Sequence, residues 1–176
     1  MDWLNRFFNE SGVVEVTQLR LGEILKNVVR VKAASKHTGE PSFFSSEEAS
    51  WEQIEQWIRR VFEFGGSITL TAAVREDVDR LLLGNLLAMY SHPGEYRLIY
   101  DPVTSLAEKT ARREWWEPGD EPFRGTTKFL DHDWDDRTVC RDMTVALQMF
   151  RDFYENHDLT EASIQQTRSV WDRKPR

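Results

Sequence analysis

Residues 46–74 carry a change of hydrophobic period that restricts the fold of this chain more than any other feature. Between 46 and 64, Trp51, Ile54, Ile58, Val61 and Phe62 recur at 3.6-residue spacing and share one face of a predicted helix. Ser45 with Glu48 three residues later predicts a capping box, in which hydroxyl and carboxylate satisfy orphan amides. Gly65-Gly66 follows, the residue type that ends a helix where left-handed backbone is required. The period then drops to two: Ile68, Leu70, Ala72 and Val74 alternate with Thr69, Thr71 and Ala73, predicting a strand with one buried face.

The neighbouring segments extend this pattern. Arg75-Glu76-Asp77 is expected to form a turn, and a second strand falls within 81–90. Ser91-His92-Pro93-Gly94 is a turn cluster, after which Tyr96, Leu98 and Tyr100 alternate, so a hairpin closes on Asp101-Pro102. Three consecutive antiparallel strands make a meander whose open face needs a cover, and the preceding helix can supply it. Further on, 104–113 is expected to form a short helix and 126–130 a strand. Asp142 is the expected N-cap of a second main helix, with Val145, Ala146, Met149, Phe150 and Phe153 on its apolar stripe and its end near Asn156. Residues 159–171 are expected to add a short helix. Before Lys36 the signals are mixed: Val14 and Val16 favour a strand, whereas Leu21, Ile24, Leu25, Val28 and Val29 recur at helical spacing. The expected fold class is α+β, an antiparallel meander of three or more strands packed by two main helices.

No linker or repeat divides the 176 residues, so a single domain is expected over 1–176, with 172–176 a frayed tail. A chain of this length buries roughly 70% of its unfolded surface, and its 10 Phe, 7 Trp and 4 Tyr can fill a core without disulfides or metal. The start, Met1-Asp2-Trp3-Leu4-Asn5-Arg6, lacks the features of a secretory signal, and no segment approaches 18 consecutive apolar residues. Cys140 is the single cysteine and leads into an apolar helical pattern, which suits a buried hydrophobe. A reducing cytoplasm and no membrane association are expected. The formal charge of −7 argues against direct nucleic-acid binding, which depends on Lys and Arg neutralising phosphates.

Catalytic signatures are missing from the sequence: it has no Gly-x-Ser-x-Gly elbow, no phosphate loop and no Gly-x-Gly-x-x-Gly. His37, His92, His132 and His157 stand apart, in no metal-binding spacing. The run Asp131-His132-Asp133-Trp134-Asp135-Asp136 has the alternating carboxylates of a calcium loop start. Its sixth position, however, is Asp136 where glycine is needed, and its twelfth is Asp142 where a bidentate Glu is needed. A solvated acidic turn ahead of the second main helix is the expected structure. No catalytic residue, metal ligand or cofactor is expected.

Trp115-Trp116, inside a Pro/Gly-bounded stretch, is the candidate contact surface. Successive side chains of an extended chain point to opposite faces, so one indole is expected to face outward, where Trp serves well as a binding anchor. From Glu114 to Asp136 eight acids stand against Arg124 and Lys128, a local −6, whereas residues 19–37 carry a local +4. An acidic, Trp-bearing segment suits a basic protein partner. The partner-binding residues expected on this ground are Trp115, Trp116, Glu117, Asp120, Glu121, Asp131, Asp133, Trp134, Asp135 and Asp136.

The order of an amphipathic helix running into Gly65-Gly66-Ser67-Ile68-Thr69-Leu70, a hairpin strand Gly94-Glu95-Tyr96-Arg97-Leu98-Ile99-Tyr100, and Asp135-Asp136-Arg137-Thr138-Val139-Cys140-Arg141-Asp142 opening a final helix resembles small bacterial immunity proteins of contact-dependent growth inhibition and related polymorphic toxin systems. The resemblance covers about residues 46–155. It implies a non-enzymatic intracellular antidote that binds one cognate toxin domain, often a nuclease, and blocks its active site or its access to substrate. It carries no family binding motif onto particular residues here. Two other classes compete: a metal-assisted hydrolase using Asp131, His132 and Asp133 from the 131–136 cluster, and a structural subunit of a larger assembly.

Overall fold

The computed structural model describes residues 26–36, 43–77, 80–102, 111–119, 122–129 and 132–172. Its strands are β1 (Lys26–Ser35), β2 (Phe43–Ser46), β3 (Gly66–Asp77), β4 (Arg80–His92), β5 (Glu95–Asp101), β6 (Arg113–Trp115), β7 (Thr126–Phe129), β8 (His132–Asp135) and β9 (Thr167–Ser169). The helices are α1 (Trp51–Phe64), α2 (Met143–Asn156) and the short α3 (Glu161–Ile164), with a 3-10 turn at Asp136–Thr138. Seven strands form one antiparallel sheet in the order β2-β1-β3-β4-β5-β6-β9, and β7 pairs with β8 in a separate hairpin. The expected α+β class, a meander packed by two main helices, is what the chain adopts.

Register explains the core. Val31, Leu70, Leu87 and Tyr100 lie side by side across β1, β3, β4 and β5, and Ala33, Ile68, Met89 and Leu98 form the next row. All eight are buried, and against them pack Ile54, Ile58 and Val61 of α1 and Ala146, Met149, Phe150 and Phe153 of α2. Burying one such large aliphatic or aromatic side chain contributes about 1.5–3 kcal/mol. The alternate residues, Lys32 with Thr69 and Ala34 with Ser67, occupy the outer face, as a two-residue period requires.

The helices begin where local chemistry satisfies their amides. Asp142 caps α2 by accepting from the Thr144 amide at 2.8 Å, as expected. The capping box of α1 is formed by Ser50 and Gln53, not by Ser45 and Glu48. Ser45 is drawn instead into β2, opposite Lys32 of β1, so the chain is still extended there and α1 starts at Trp51. Backbone pairing with a neighbouring strand has overridden a sequence pattern with the correct spacing.

The same cause explains the other departures. Val28 and Val29 lie on β1, which pairs with β3 over ten positions, so their helical spacing is incidental. Arg75, Glu76 and Asp77 continue β3 and are not a turn. Within 159–171 helix is confined to α3, and β9 follows it as an edge strand. The predicted helix over 104–113 lies mostly outside the described residues, its last position starting β6. Val14, Val16, Leu21, Ile24, Leu25 and His37 also lie outside them, as does the tail over 173–176. The acidic stretch before α2 is not a solvated turn, because His132–Asp135 pairs with Thr126–Phe129 as a strand. Among the described residues no helix is long and apolar enough to cross a membrane.

Candidate functional site

The segment rich in Trp and acid is built on the outer face of β5 and β6, opposite the helices. Arg97 on β5 and Glu114 on β6 form an ion pair there, both buried. Burial lowers the Arg97 guanidinium from its ordinary pKa, and the Glu114 carboxylate opposes that. The β7–β8 hairpin roofs the pair: Trp134 places its ring centroid 3.3 Å from the Arg97 guanidinium carbon, and Phe129 meets His92 edge to face at 5.0 Å. A desolvated cation against an indole is the stronger case of this contact, worth about 2 kcal/mol.

A second arginine holds the end of the hairpin. Asp135 accepts hydrogen bonds from Arg137 Nε at 2.9 Å, Nη2 at 2.7 Å and the Arg137 amide at 3.1 Å. This bidentate geometry fixes the guanidinium plane. The Arg137 guanidinium carbon then lies 4.7 Å from the Trp116 ring centroid and 5.6 Å from that of Phe123, while Arg168 of β9 reaches Trp116 at 4.4 Å. The Trp116 amide donates to Gln166 and the Glu117 amide to the Arg137 carbonyl, at 3.0 and 2.9 Å.

Both indoles are therefore inside, each 5% exposed, and the expected outward-facing Trp is absent. The alternation itself holds. Trp115 joins the core beneath the sheet. Trp116 is covered by the two arginines, which are distant or unremarkable in sequence.

The acids divide in the same way. Asp135 is buried against Arg137, and Trp134 is half-buried over Arg97. Glu117 pairs with Arg124. Asp136 accepts from Arg141 at 2.8 Å and from Arg124 at 3.2 Å, and Thr127 also donates to it. Those hydrogen bonds, with Arg141 first, hold its carboxyl below the ordinary aspartate range. Asp133 is exposed at the hairpin, across from Lys128. Asp120, Glu121 and Asp131 lie outside the described residues. Much of the local −6 is thus compensated by Arg97, Arg137 and Arg141, which a count over residues 114–136 omits. Among the described residues no group of three or more His, Cys, Asp or Glu side chains could hold a metal ion. Cys140 is buried, and burial pushes its thiol up, away from the nucleophilic form.

One residue that the sequence pattern did not single out reaches the surface. Phe123, 41% exposed, is the outer end of the Arg168, Trp116, Arg137 stack. Its irregular, Pro- and Gly-bounded surroundings gave no periodicity from which an exposed ring could be read.

The geometry is that of an α+β protein whose outer sheet face carries a clamped hairpin with a mixed polar and aromatic rim. The chain belongs to the family of unknown function DUF6911, which residues 29–163 match. Its fold is similar to that of a hypothetical protein from Neisseria gonorrhoeae known from a crystal structure, with a TM-score of 0.55 and 11% sequence identity over 79% of this chain and 94% of that one. At that identity the likeness concerns the fold alone. No curated protein matches the chain.

Proposed function

We propose that this protein is a cytoplasmic, non-enzymatic immunity protein that binds a cognate toxin domain, a basic one such as a nuclease, and occludes its active site or substrate groove. The observation that carries the reading is the division of residues 114–136 into an anchored inner layer and an exposed outer one. Glu114, Trp116, Trp134 and Asp135 fix the hairpin through buried ion pairs and arginine stacks, while Trp115 packs in the core on the other side of the sheet. Glu117, Phe123, Asp133 and Asp136 are left at or near the surface in that rigid frame. Pre-organised side chains lose little entropy on binding, which is how a small domain reaches high affinity. The order of helix, meander and final helix supports the same reading through its resemblance to immunity proteins.

The test is binding to the toxin domain encoded directly upstream, followed by calorimetry at low and high salt. A tight complex that weakens as salt rises is expected, since complementary exposed charges are screened. Co-expression should also restore growth to cells producing that domain. Failure to bind the product of either neighbouring gene overturns the proposal.

A further inference from the structure

We infer that Phe123 is the anchor of the partner-binding face and receives a guanidinium group from the protein it binds. The inference rests on the proposed function for the identity of the partner and on geometry for the chemistry. Arg168, Trp116, Arg137 and Phe123 form a run of alternating cations and rings, with guanidinium carbons 4.4, 4.7 and 5.6 Å from the successive ring centroids. Arginine occupies each cationic place in this run. Among the described residues the run stops at Phe123, whose ring is 41% exposed where most large apolar side chains are covered. A further cation on the exposed part of that ring would continue the alternation.

The surroundings favour arginine over an apolar or anionic group. Glu117, next to Trp116 in sequence, and Asp136, next to Arg137, are joined through Arg124, which follows Phe123 directly, and Asp136 also holds Arg141. Arg124 is directed to those two carboxylates. An incoming guanidinium would stack on Phe123 and, to reach the same acids, would share them with Arg124 and Arg141. Lysine can donate but cannot stack in that way, because its compact ammonium is strongly hydrated and not planar. An exposed ring at the end of a run of stacked arginines is thus better suited to arginine than to lysine, and arginine is a residue that a phosphate-binding groove also supplies.

Two measurements decide the matter. In the first, the Phe123 ring resonances of the full chain are followed while a blocked arginine-rich hexapeptide is added, and again with the peptide in which citrulline, the uncharged isostere, replaces arginine. Movement of the Phe123 ring with arginine and not with citrulline is expected. No movement with either peptide, or equal movement with both, overturns the inference.

In the second, dissociation from the upstream-encoded domain is timed for wild type, Phe123→Leu and Phe123→Tyr. The leucine variant keeps an apolar side chain under Arg137 but removes the ring, and should dissociate about tenfold faster. Tyrosine should restore the wild-type rate. A leucine variant that folds and dissociates like wild type overturns the inference while the proposed function stands. If wild type does not bind the domain at all, the proposed function fails, and the peptide titration alone decides whether Phe123 receives a guanidinium.

Discussion

The guanidinium of Arg97 lies between Glu114, its ion-pair partner on the adjacent strand, and Trp134, whose ring centroid is 3.3 Å from the guanidinium carbon. The pair is buried under the hairpin on the outer face of the sheet, so neither charge is left to water. Removing one member strands the other. Glu114→Leu should therefore destabilise the fold by about 3–5 kcal/mol, whereas Arg97→Met combined with Glu114→Leu should recover most of that loss. Urea denaturation of the two single variants and the double variant closes the thermodynamic cycle. A double variant as unstable as Glu114→Leu alone would contradict this account of the pair.

The hairpin depends on the same arginine. Trp134→Leu removes the ring over Arg97 while leaving the β7–β8 pairing in place, and should cost about 1–2 kcal/mol. The loss should be local first. Hydrogen exchange in Thr126–Phe129 and His132–Asp135 should accelerate at denaturant concentrations where the amides of β3 and β4 remain protected. Equal acceleration throughout the sheet would mean that hairpin and sheet open as one unit.

Two glycines should respond very differently to alanine. Gly66 has φ +135, and a Cβ built there falls 2.1 Å from the Ala34 carbonyl oxygen, on the backbone of the paired strand. Neither atom can move without breaking the β1–β3 ladder. Gly94, in the tight turn between β4 and β5, has φ +81 but nothing within 4 Å of its Cβ. Gly94→Ala should cost only the strain of a left-handed backbone, about 1–2 kcal/mol, and Gly66→Ala distinctly more. Thermal midpoints of the two variants rank the effects.

Asp136 should make stability sensitive to acid. Hydrogen bonds from Arg141 and Thr127 hold its carboxyl below the ordinary aspartate value of 3.8, so the folded state binds its proton less readily than the unfolded chain does. A depressed carboxylate stabilises fully above the unfolded pKa and loses that contribution as pH falls through the folded value. Asp136→Asn should thus be less stable than wild type at neutral pH, with the gap narrowing below about pH 4. Urea midpoints measured from neutral to acid pH report the gap directly. A gap of constant size would show that the charge of Asp136 is not what stabilises the site.

The tie between Tyr96 and α2 gives a simpler expectation. The Tyr96 hydroxyl donates to the Asp142 carbonyl at 2.6 Å, joining β5 to the start of that helix. Burial pushes the phenol well above its ordinary range, so the hydroxyl stays protonated. Tyr96→Phe should cost about 1 kcal/mol, more if the carbonyl is left without a donor, as denaturant titration would report.

Most of the architecture was legible where a long segment kept one period. Trp51, Ile54, Ile58 and Val61, the alternation from Ile68, and the Val145 to Phe153 stripe identified both main helices and the meander, because a buried face imposes its spacing on the sequence that covers it. Short or doubly covered segments were not legible in this way. Ser45 lost its helix cap to pairing with Lys32, and Val28 and Val29 lie on a strand despite their helical spacing, since both outcomes depend on a neighbouring strand far away in the chain.

The candidate site divides along the same line. By itself the sequence determined that acids and tryptophans concentrate between 114 and 136, since composition is a property of consecutive residues. Only the tertiary structure decided which of them face solvent. Arg97 pairs with Glu114 under Trp134, Arg137 and Arg168 cover Trp116, Arg137 ties Asp135 and Arg141 draws Asp136 into an ion pair, leaving Phe123 at the surface. Charge neutralisation and burial are set by distances in space, and a local count along the chain contains none of those distances.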